Sequence, residues 1–337
     1  MKVEIFDVQH GVCALITTDN HQHVLIDCGH RAAATPSSLS VEAPVLDIAG
    51  LFGQPSNALA PWSAFSAANL FTEPSNSFVP TNGILNALGI SSGDSGWRPS
   101  EELKRREVRT RDRLVVSNYD LDHLSDFHNI LNEEIYVADV CGNPTITMPI
   151  LRVMKQNAGG IGTGGLASFM NLMEYGTHTF RPTVVSGIYM EHFYVQHDPF
   201  GAVQGTNNLS LVTFLSCGDL HMIFPGDIES PAWELLLQNN SFLVHLKRVN
   251  VFVASHHGRL KGYHADVFAN GRCTPELAII SDKEIVHSTQ ENAAARYGRH
   301  VEGVRFGTTL RKVLTTRNDG NITFEVLPGQ TPTVRIG

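Results

Sequence analysis

The sequence predicts a mixed α/β fold in which several buried strands end in polar residues that can bind a metal. Three apolar runs indicate such strands, at residues 114–116, 220–225 and 249–254. The first leads into an Asp- and His-rich segment at 117–123, the second into Gly226 and Asp227, and the third into a pair of histidines at 256–257. Short β-branched and aromatic runs that break at polar residues are typical of strands.

Each of these segments places carboxylates or imidazoles at the end of its strand, where residues distant in sequence can converge. Any one of them alone is typical of a solvated turn or of a hydrogen-bonded pair of histidines. Three segments of the same construction favour a shared metal centre, because carboxylates and imidazoles are common metal ligands. The candidate ligands are Asp120, Asp122, His123, Asp227 and one of the pair His256 and His257.

The order of these motifs resembles that of metallo-β-lactamase-fold hydrolases, and most closely their ComEC-like branch. The matching segments extend over nearly the whole chain, at 6–11, 25–29, 118–123, 207–212, 226–227, 256–258 and 316–322. The resemblance implies a four-layer αββα metallo-β-lactamase sandwich, with the metal cluster at one edge between its two sheets. It also implies metal-dependent hydrolysis, with a phosphodiester as the leading substrate class.

Half of the family's metal-binding motif is altered in this chain. Asn118 and Asp120 stand where the family has histidines, and Asn207 and Asn208 stand where it places another. We therefore expect one firmly held divalent ion, Zn²⁺ or Mn²⁺, with the ligands Asp122, His123, Asp227 and His257. A weaker second ion would be held by Asp120, Asp227 and an amide oxygen of Asn118 or Asn208, and its oxygen-rich ligands favour Mn²⁺ or Mg²⁺.

Composition predicts a cytoplasmic protein without a membrane partner. The 337 residues are 42% hydrophobic and 17% charged, which is enough to bury a large core. No apolar run approaches the ~20 residues that span a bilayer, and the amino-terminal residues do not read as a secretory signal. The five cysteines are scattered without CxxC pairs, which indicates reduced thiols rather than a disulfide framework or a cysteine zinc site.

We predict a single metallo-β-lactamase-fold domain over residues 1–337 that carries two additions. Residues 31–110 are predicted to be a long inserted embellishment, because residues 31 to about 96 are rich in Ser, Ala, Pro, Asn and Gly and weakly periodic. Residues 142–190 are predicted to be a second insertion or a lid. Their glycine-rich stretch at 159–165 is not followed by the Lys-Ser/Thr of a phosphate-binding loop, which favours a flexible turn or hinge.

Four residues have predicted roles in the reaction. A bound ion would lower the pKa of a water molecule and polarise the oxygen that it attacks, and Asp122 would orient that water. His257 is predicted to be the ligand and His256 a substrate contact or acid, although the order could be reversed. His287 is a candidate to contact a phosphate or to protonate a leaving group, and an ordinary loop histidine is an equal alternative.

The substrate class depends on the resemblance and on charge. A net charge of −8 argues against binding to extended duplex nucleic acid and favours a short single strand or a small nucleotide phosphodiester. Arg259 and Lys261 are the predicted contacts to its charge, and a basic segment at 98–113 could add others. The alternatives are a carboxylic ester, lactone or thioester hydrolase, and a catalytically degenerate binding module. The sequence leaves the oligomeric state open.

Overall fold

A computed structural model of the chain describes residues 1–9, 11–31, 96–161, 164–175, 184–201, 203–282 and 290–337. His287 and most of the predicted insertion at 31–110 lie outside these ranges, as do parts of the predicted lid at 142–190. The division into a core and two additions therefore stays a prediction.

Two mixed sheets form the centre of the fold. The first has the order β17-β16-β1-β2-β3-β5-β7, and its strands are β1 (Lys2–Ile5), β2 (Ala14–Thr17), β3 (His23–Ile26), β5 (Arg113–Val115), β7 (Val140–Cys141), β16 (Ile322–Glu325) and β17 (Thr333–Ile336). The second has the order β15-β12-β11-β10-β9-β8, and its strands are β8 (Tyr189–Phe193), β9 (Val212–Cys217), β10 (Leu220–Phe224), β11 (Val251–Val253), β12 (Leu277–Ile280) and β15 (Val313–Thr315).

Two smaller strand pairs and several helices complete the described structure. The pairs are β4 (Thr110–Arg111) with β6 (Tyr136–Val137), and β13 (Val304–Phe306) with β14 (Thr309–Arg311). The helices are α1 (Pro99–Arg105), α2 (Leu121–Leu124), α3 (Phe127–Asn132), α4 (Met148–Asn157), α5 (Gly165–Tyr175), α6 (Ser230–Leu236), α7 (Asn240–Leu246), α8 (Ala293–Gly298) and α9 (Thr316–Asp319).

The two large sheets share one inner core because alternate residues of each strand point to the same face. Val3 and Ile16 of the first sheet lie in one buried apolar cluster with Met222, Val253 and other residues of the second sheet. The opposite faces are covered by helices. Leu15 and Leu25 pack in a cluster with residues of α1 and α3, and the outer side of the second sheet packs with α6 and α7. Helices outside two facing sheets form an αββα sandwich, so the predicted fold class is confirmed.

The carboxyl ends of several strands meet at one edge of the sandwich. β3, β5 and β7 are mutually parallel in the first sheet, as are β10, β11, β12 and β15 in the second. Parallel strands present their carboxyl ends together, which is where ligands bind in open α/β sheets. The amide of Leu211 donates to the carbonyl of Ser117 at 2.7 Å and so joins the two sheets at this edge.

The described parts of the predicted insertion pack on the first sheet. Arg31 and Trp97 exchange two backbone hydrogen bonds, at 2.8 and 3.0 Å, and the Trp97 ring stacks on Phe6 with centroids 4.6 Å apart. Leu103 of α1 is buried in the outer core. Residues 96–111 therefore continue the folded domain. Among the described helices, none combines the length and the apolar character that crossing a bilayer requires.

Candidate metal centre

Three strand ends build the centre. β5 is followed by 116–123, β10 by Gly226 and Asp227, and β11 by the turn Ser255–Gly258. The amide of His256 donates to the carbonyl of Gly226 at 3.1 Å, which holds the second and third segments together. The apolar strands thus bury their own faces and leave the polar residues that follow them at the shared edge.

Asp122, His123, Asp227 and His257 each direct one ligand atom to a common point, and these four atoms lie within 4.8 Å of one another. We call these residues the ligand cluster. Nε2 of His123 lies 3.2 Å from Asp227 Oδ1, and Nε2 of His257 lies 3.2 Å from Asp122 Oδ2 and 3.6 Å from Asp227 Oδ2. Asp227 is therefore close to both imidazoles.

Hydrogen-bond acceptors outside the ligand cluster fix the orientation of both imidazole rings. Nδ1 of His123 donates to Asp27 Oδ2 at 2.8 Å, and Nδ1 of His257 donates to the carbonyl of Ser281 at 3.2 Å. Neither acceptor can donate a proton, so in the neutral state each ring carries its proton on Nδ1 and turns an unprotonated Nε2 to the cluster. An outer acceptor on Nδ1 is the usual arrangement of a histidine that binds a metal.

Two buried polar atoms of the cluster have no hydrogen-bond partner. They are His123 Nε2 and Asp227 Oδ1, which face each other at 3.2 Å without hydrogen-bond geometry. A buried polar atom that lacks a partner is destabilising, and an ion between the two atoms would satisfy both. Two imidazoles and two carboxylates suit Zn²⁺ or Mn²⁺, so the cluster fits a divalent ion.

The charges of the ligand cluster also suit a divalent ion. Burial favours a neutral Asp227, but His123 and His257 outweigh it and hold the pKa of this carboxyl well below its usual range. Burial likewise opposes protonation of His257, but Asp227 and Asp122 raise its pKa to about 9. The same carboxylates, with Asp27, raise the pKa of His123 well above its usual value. Without an ion, two protons therefore supply the positive charge that a divalent cation would supply.

The backbone around the cluster adopts uncommon conformations. His256 and His257 have φ of 50° and 54°, and Asp27 has φ of 56°. Left-handed φ is rare for residues other than glycine, and such residues gather at functional sites. Gly226 has φ of 60°, and a Cβ there would lie 2.9 Å from the Cβ of Ser210, which explains why a glycine precedes Asp227.

The cluster opens into a cleft of about 490 Å³. All of its described lining residues are polar or ionisable: Asp120, Asp122, Asn207, Asp227, Glu229, His256, Arg259 and Lys261. Nη1 of Arg259 donates to Nε2 of His256 at 3.1 Å, and Nδ1 of His256 lies 3.3 Å from Glu229 Oε1. Because an arginine can only donate, Nε2 of His256 is the acceptor, and Nδ1 of His256 has no hydrogen-bond partner among the described residues despite its closeness to Glu229.

The residues predicted to hold a second ion bond to other protein groups instead. Asn118 donates to Asn207 Oδ1 at 3.1 Å, and its own Oδ1 accepts from the amide of Tyr119 at 2.6 Å. Asn208 Oδ1 accepts from the amide of Glu229 at 3.2 Å. We call Asn118, Asn207, Asn208 and Glu229 the amide network. Each of these amide oxygens already accepts one hydrogen bond from the protein.

Asp120 is also outside the ligand cluster. Its Oδ1 pairs with Nζ of Lys155 from α4 and accepts from Oγ1 of Thr206 at 2.9 Å. Of the predicted site residues, the structure thus brings four together as possible ligands and places Asp120, His256, Arg259 and Lys261 along the same cleft. His287 lies outside the described residues.

Sequence reasoning assigned no role to Asp27, Glu229 or Lys155. Asp27 follows β3 in the same way as the other polar residues follow their strands, so its position was a usable signal. Glu229 stands two residues after Asp227, and this spacing is a weaker signal. Lys155 is in a helix remote from every motif, and its sequence context gave no signal.

Comparison with known proteins adds little to this geometry. No family model matches the sequence, and no curated protein matches it. A solved structure, the metallo-β-lactamase-fold protein YhfI from Bacillus subtilis, aligns over 100% of this chain and 99% of its own, with a TM-score of 0.38 and 10% sequence identity.

Proposed function

We propose that the chain is a metal-dependent phosphodiesterase that acts on a small phosphodiester, such as a nucleotide or the end of a short single strand. One observation carries this proposal: Arg259 and Lys261 line the same cleft as Asp122 and Asp227. A site that combines metal ligands with two permanent cations suits an anionic substrate. The uncharged acyl group of an ester or lactone needs no such cations.

The character of the cleft supports a charged substrate as well. None of its described lining residues is apolar, whereas most small-molecule sites are predominantly apolar. Four lining carboxylates would repel a phosphate, so Arg259, Lys261 and the bound ion must offset them before a diester can enter. Binding of the substrate should therefore depend on the ion.

Size and net charge favour a small substrate. A cleft of about 490 Å³ is in the range of small-molecule sites, which is roughly 300–1,000 Å³. Extended nucleic acid needs several basic contacts along its backbone, and the chain has a net charge of −8. Nucleic acid would therefore be bound through one or two phosphates at an end.

The side chains of the cleft have distinct roles in this proposal. When bound, the ion supplies Lewis-acid polarisation and lowers the pKa of a coordinated water. The pKa of Asp122 lies well below its usual range, because His123 and His257 outweigh the effect of its burial. Asp122 therefore stays ionised and accepts a hydrogen bond from the attacking water. His256 accepts a hydrogen bond from the Arg259 guanidinium and so directs it toward the substrate phosphate.

The test compares a phosphodiester with a carboxylic ester that has the same leaving group. Wild type and the variant Arg259→Ala/Lys261→Ala are assayed with bis-p-nitrophenyl phosphate and with p-nitrophenyl acetate. We expect wild type to prefer the diester, and we expect the variant to raise KM for the diester at least tenfold, because two charge-assisted contacts are lost.

A matched control removes two positive charges far from the cleft. Lys247 and Arg248 are adjacent and exposed at the end of α7, so Lys247→Ala/Arg248→Ala lowers the net charge equally. It should leave KM unchanged. A wild type that prefers the ester would favour a carboxylic ester, lactone or thioester hydrolase. A wild type that binds metal but hydrolyses neither substrate would favour a binding module.

A further inference from the structure

Lys155 is a buried cation at the edge of the metal centre. Its residue is 7% exposed, and its Nζ pairs with Oδ1 of Asp120, whose side chain is 33% exposed and lines the cleft. Lysine is rarely so buried unless it is paired. Thr206 donates to the same carboxylate oxygen, so Asp120 is held on two sides.

Stability alone gives no reason for this ion pair. Removing an ammonium from water is unfavourable, and an apolar residue of similar volume often stabilises a fold as well or better. α4 could bury a methionine or a leucine at this position without needing Asp120. The charge of Lys155 therefore points to a role in the cleft.

The charges of the cleft identify that role. One divalent ion in the ligand cluster compensates Asp122 and Asp227. Asp120 would remain as an uncompensated carboxylate if Lys155 were absent. The amide oxygens that could join Asp120 in binding another ion each accept one hydrogen bond from a neighbouring protein group.

We propose that the Lys155 ammonium takes the place of a second metal ion, so that it compensates Asp120 and limits the centre to one divalent ion. This deepens the proposed function and rests on it, because the single ion is the one that the hydrolysis requires. Lys155 is a positioning residue that acts through Asp120. The expected second, weaker ion of Asp120 and an amide oxygen is thereby replaced by a protein cation.

The experiment counts bound ions. Metal-free protein is titrated with Mn²⁺ and, separately, with Zn²⁺, and the ion-to-chain ratio is read by native mass spectrometry and by equilibrium dialysis. We expect one ion per chain for wild type. We expect two for Lys155→Met, because this variant keeps the length of the side chain and leaves Asp120 without a cation beside the cluster.

Two further variants serve as controls. Lys155→Arg keeps the positive charge and should bind one ion, and Lys155→Met/Asp120→Asn removes both charges and should also bind one. Two ions in wild type would overturn the proposal without any variant, and so would a single ion in a folded Lys155→Met. If Lys155→Met does not fold by circular dichroism, the wild-type ratio and Lys155→Arg decide.

These results are independent of the hydrolytic activity. If the ratios follow the expectation and no phosphodiester is hydrolysed, the one-ion centre stands and the proposed function fails. If diesters are hydrolysed by a wild type with two ions, the proposed function stands and the role of Lys155 fails. With Lys155→Met, added Mn²⁺ should restore any lost diesterase activity, whereas it should have no such effect on wild type already saturated with one ion.

Discussion

The ligand cluster and the amide network occupy the same edge of the sandwich but are built in opposite ways. In the ligand cluster, His123 and His257 donate outward to Asp27 and Ser281 and turn Nε2 toward the cluster carboxylates. In the amide network, the side chains of Asn118, Asn207 and Asn208 bond to neighbouring groups of the protein itself. One region is left incomplete without an ion, and the other is complete without one.

This difference shows what a strand end needs to bind a metal. Both regions begin at the end of β5 and extend to the residues beside β10, so position alone does not distinguish them. What distinguishes them is whether an outer group accepts the Nδ1–H hydrogen bond of each histidine and so leaves the Nε2 lone pair turned inward.

The largest contrast is between Asp227→Asn and Asn118→Ala. Asp227 lies close to both imidazoles, so the amide should abolish tight ion binding and lower kcat by about 10³-fold or more. Asn118 contributes to a network that bonds to itself, and its loss should change kcat by less than about fivefold. Ion binding by equilibrium dialysis and diesterase kinetics measure both. Equal losses in the two variants would show that the amide network also holds an ion.

Asp27→Asn tests the outer partner of His123. A neutral amide oxygen accepts the Nδ1–H hydrogen bond more weakly than a carboxylate does, so metal affinity should fall about 10–100-fold while the four ligands remain. Asp139→Asn is the control, because Asp139 is another buried aspartate at the first sheet, where it pairs with Arg113 at 2.6 Å. An unchanged affinity in Asp27→Asn would mean that the outer acceptor is dispensable.

Metal affinity should rise with pH. His257 has a pKa of about 9 in the metal-free protein, so it is protonated at neutral pH and must lose that proton to become a ligand. Protons therefore compete with the ion below about pH 9, and each displaced proton changes the affinity by about tenfold per pH unit. Calorimetry in two buffers of different ionisation enthalpy counts the released protons. Binding without proton release would contradict the assigned charges.

His192 on β8 is a histidine whose pKa shifts in the opposite direction. Burial lowers its pKa to about 4, so it is neutral in the folded protein and gains a proton on unfolding below pH 6.5. The free energy of unfolding should therefore fall by about 1–3 kcal/mol as the pH decreases from 6.5 toward 4, because the unfolded chain binds a proton at this histidine and the folded chain does not. His192→Gln should flatten the fall in unfolding free energy over this range and leave metal affinity unchanged. Urea denaturation at several pH values measures it.

The fold class was predictable because each strand carries its own signal, an apolar run followed by polar residues. The ligand cluster could be predicted for the same reason, because its four residues all follow such apolar runs. The contact between Asp27 and His123 depends on the parallel pairing of β3 with β5, which no local pattern reveals. The pairing of Lys155 with Asp120 depends on how α4 packs, and nothing in the helix sequence points to Asp120.

The junction between Arg31 and Trp97 has a consequence for how the chain can vary in length. Two backbone hydrogen bonds join Arg31 to Trp97. Closing a flexible segment costs only about 0.6 kcal/mol more for each doubling of its length. A chain in which a short glycine-serine linker replaces residues 33–95 should therefore keep the β3–β5 pairing and the ion stoichiometry of the unaltered chain. This junction is thus a place where segments of different length can be exchanged without rebuilding the ligand cluster.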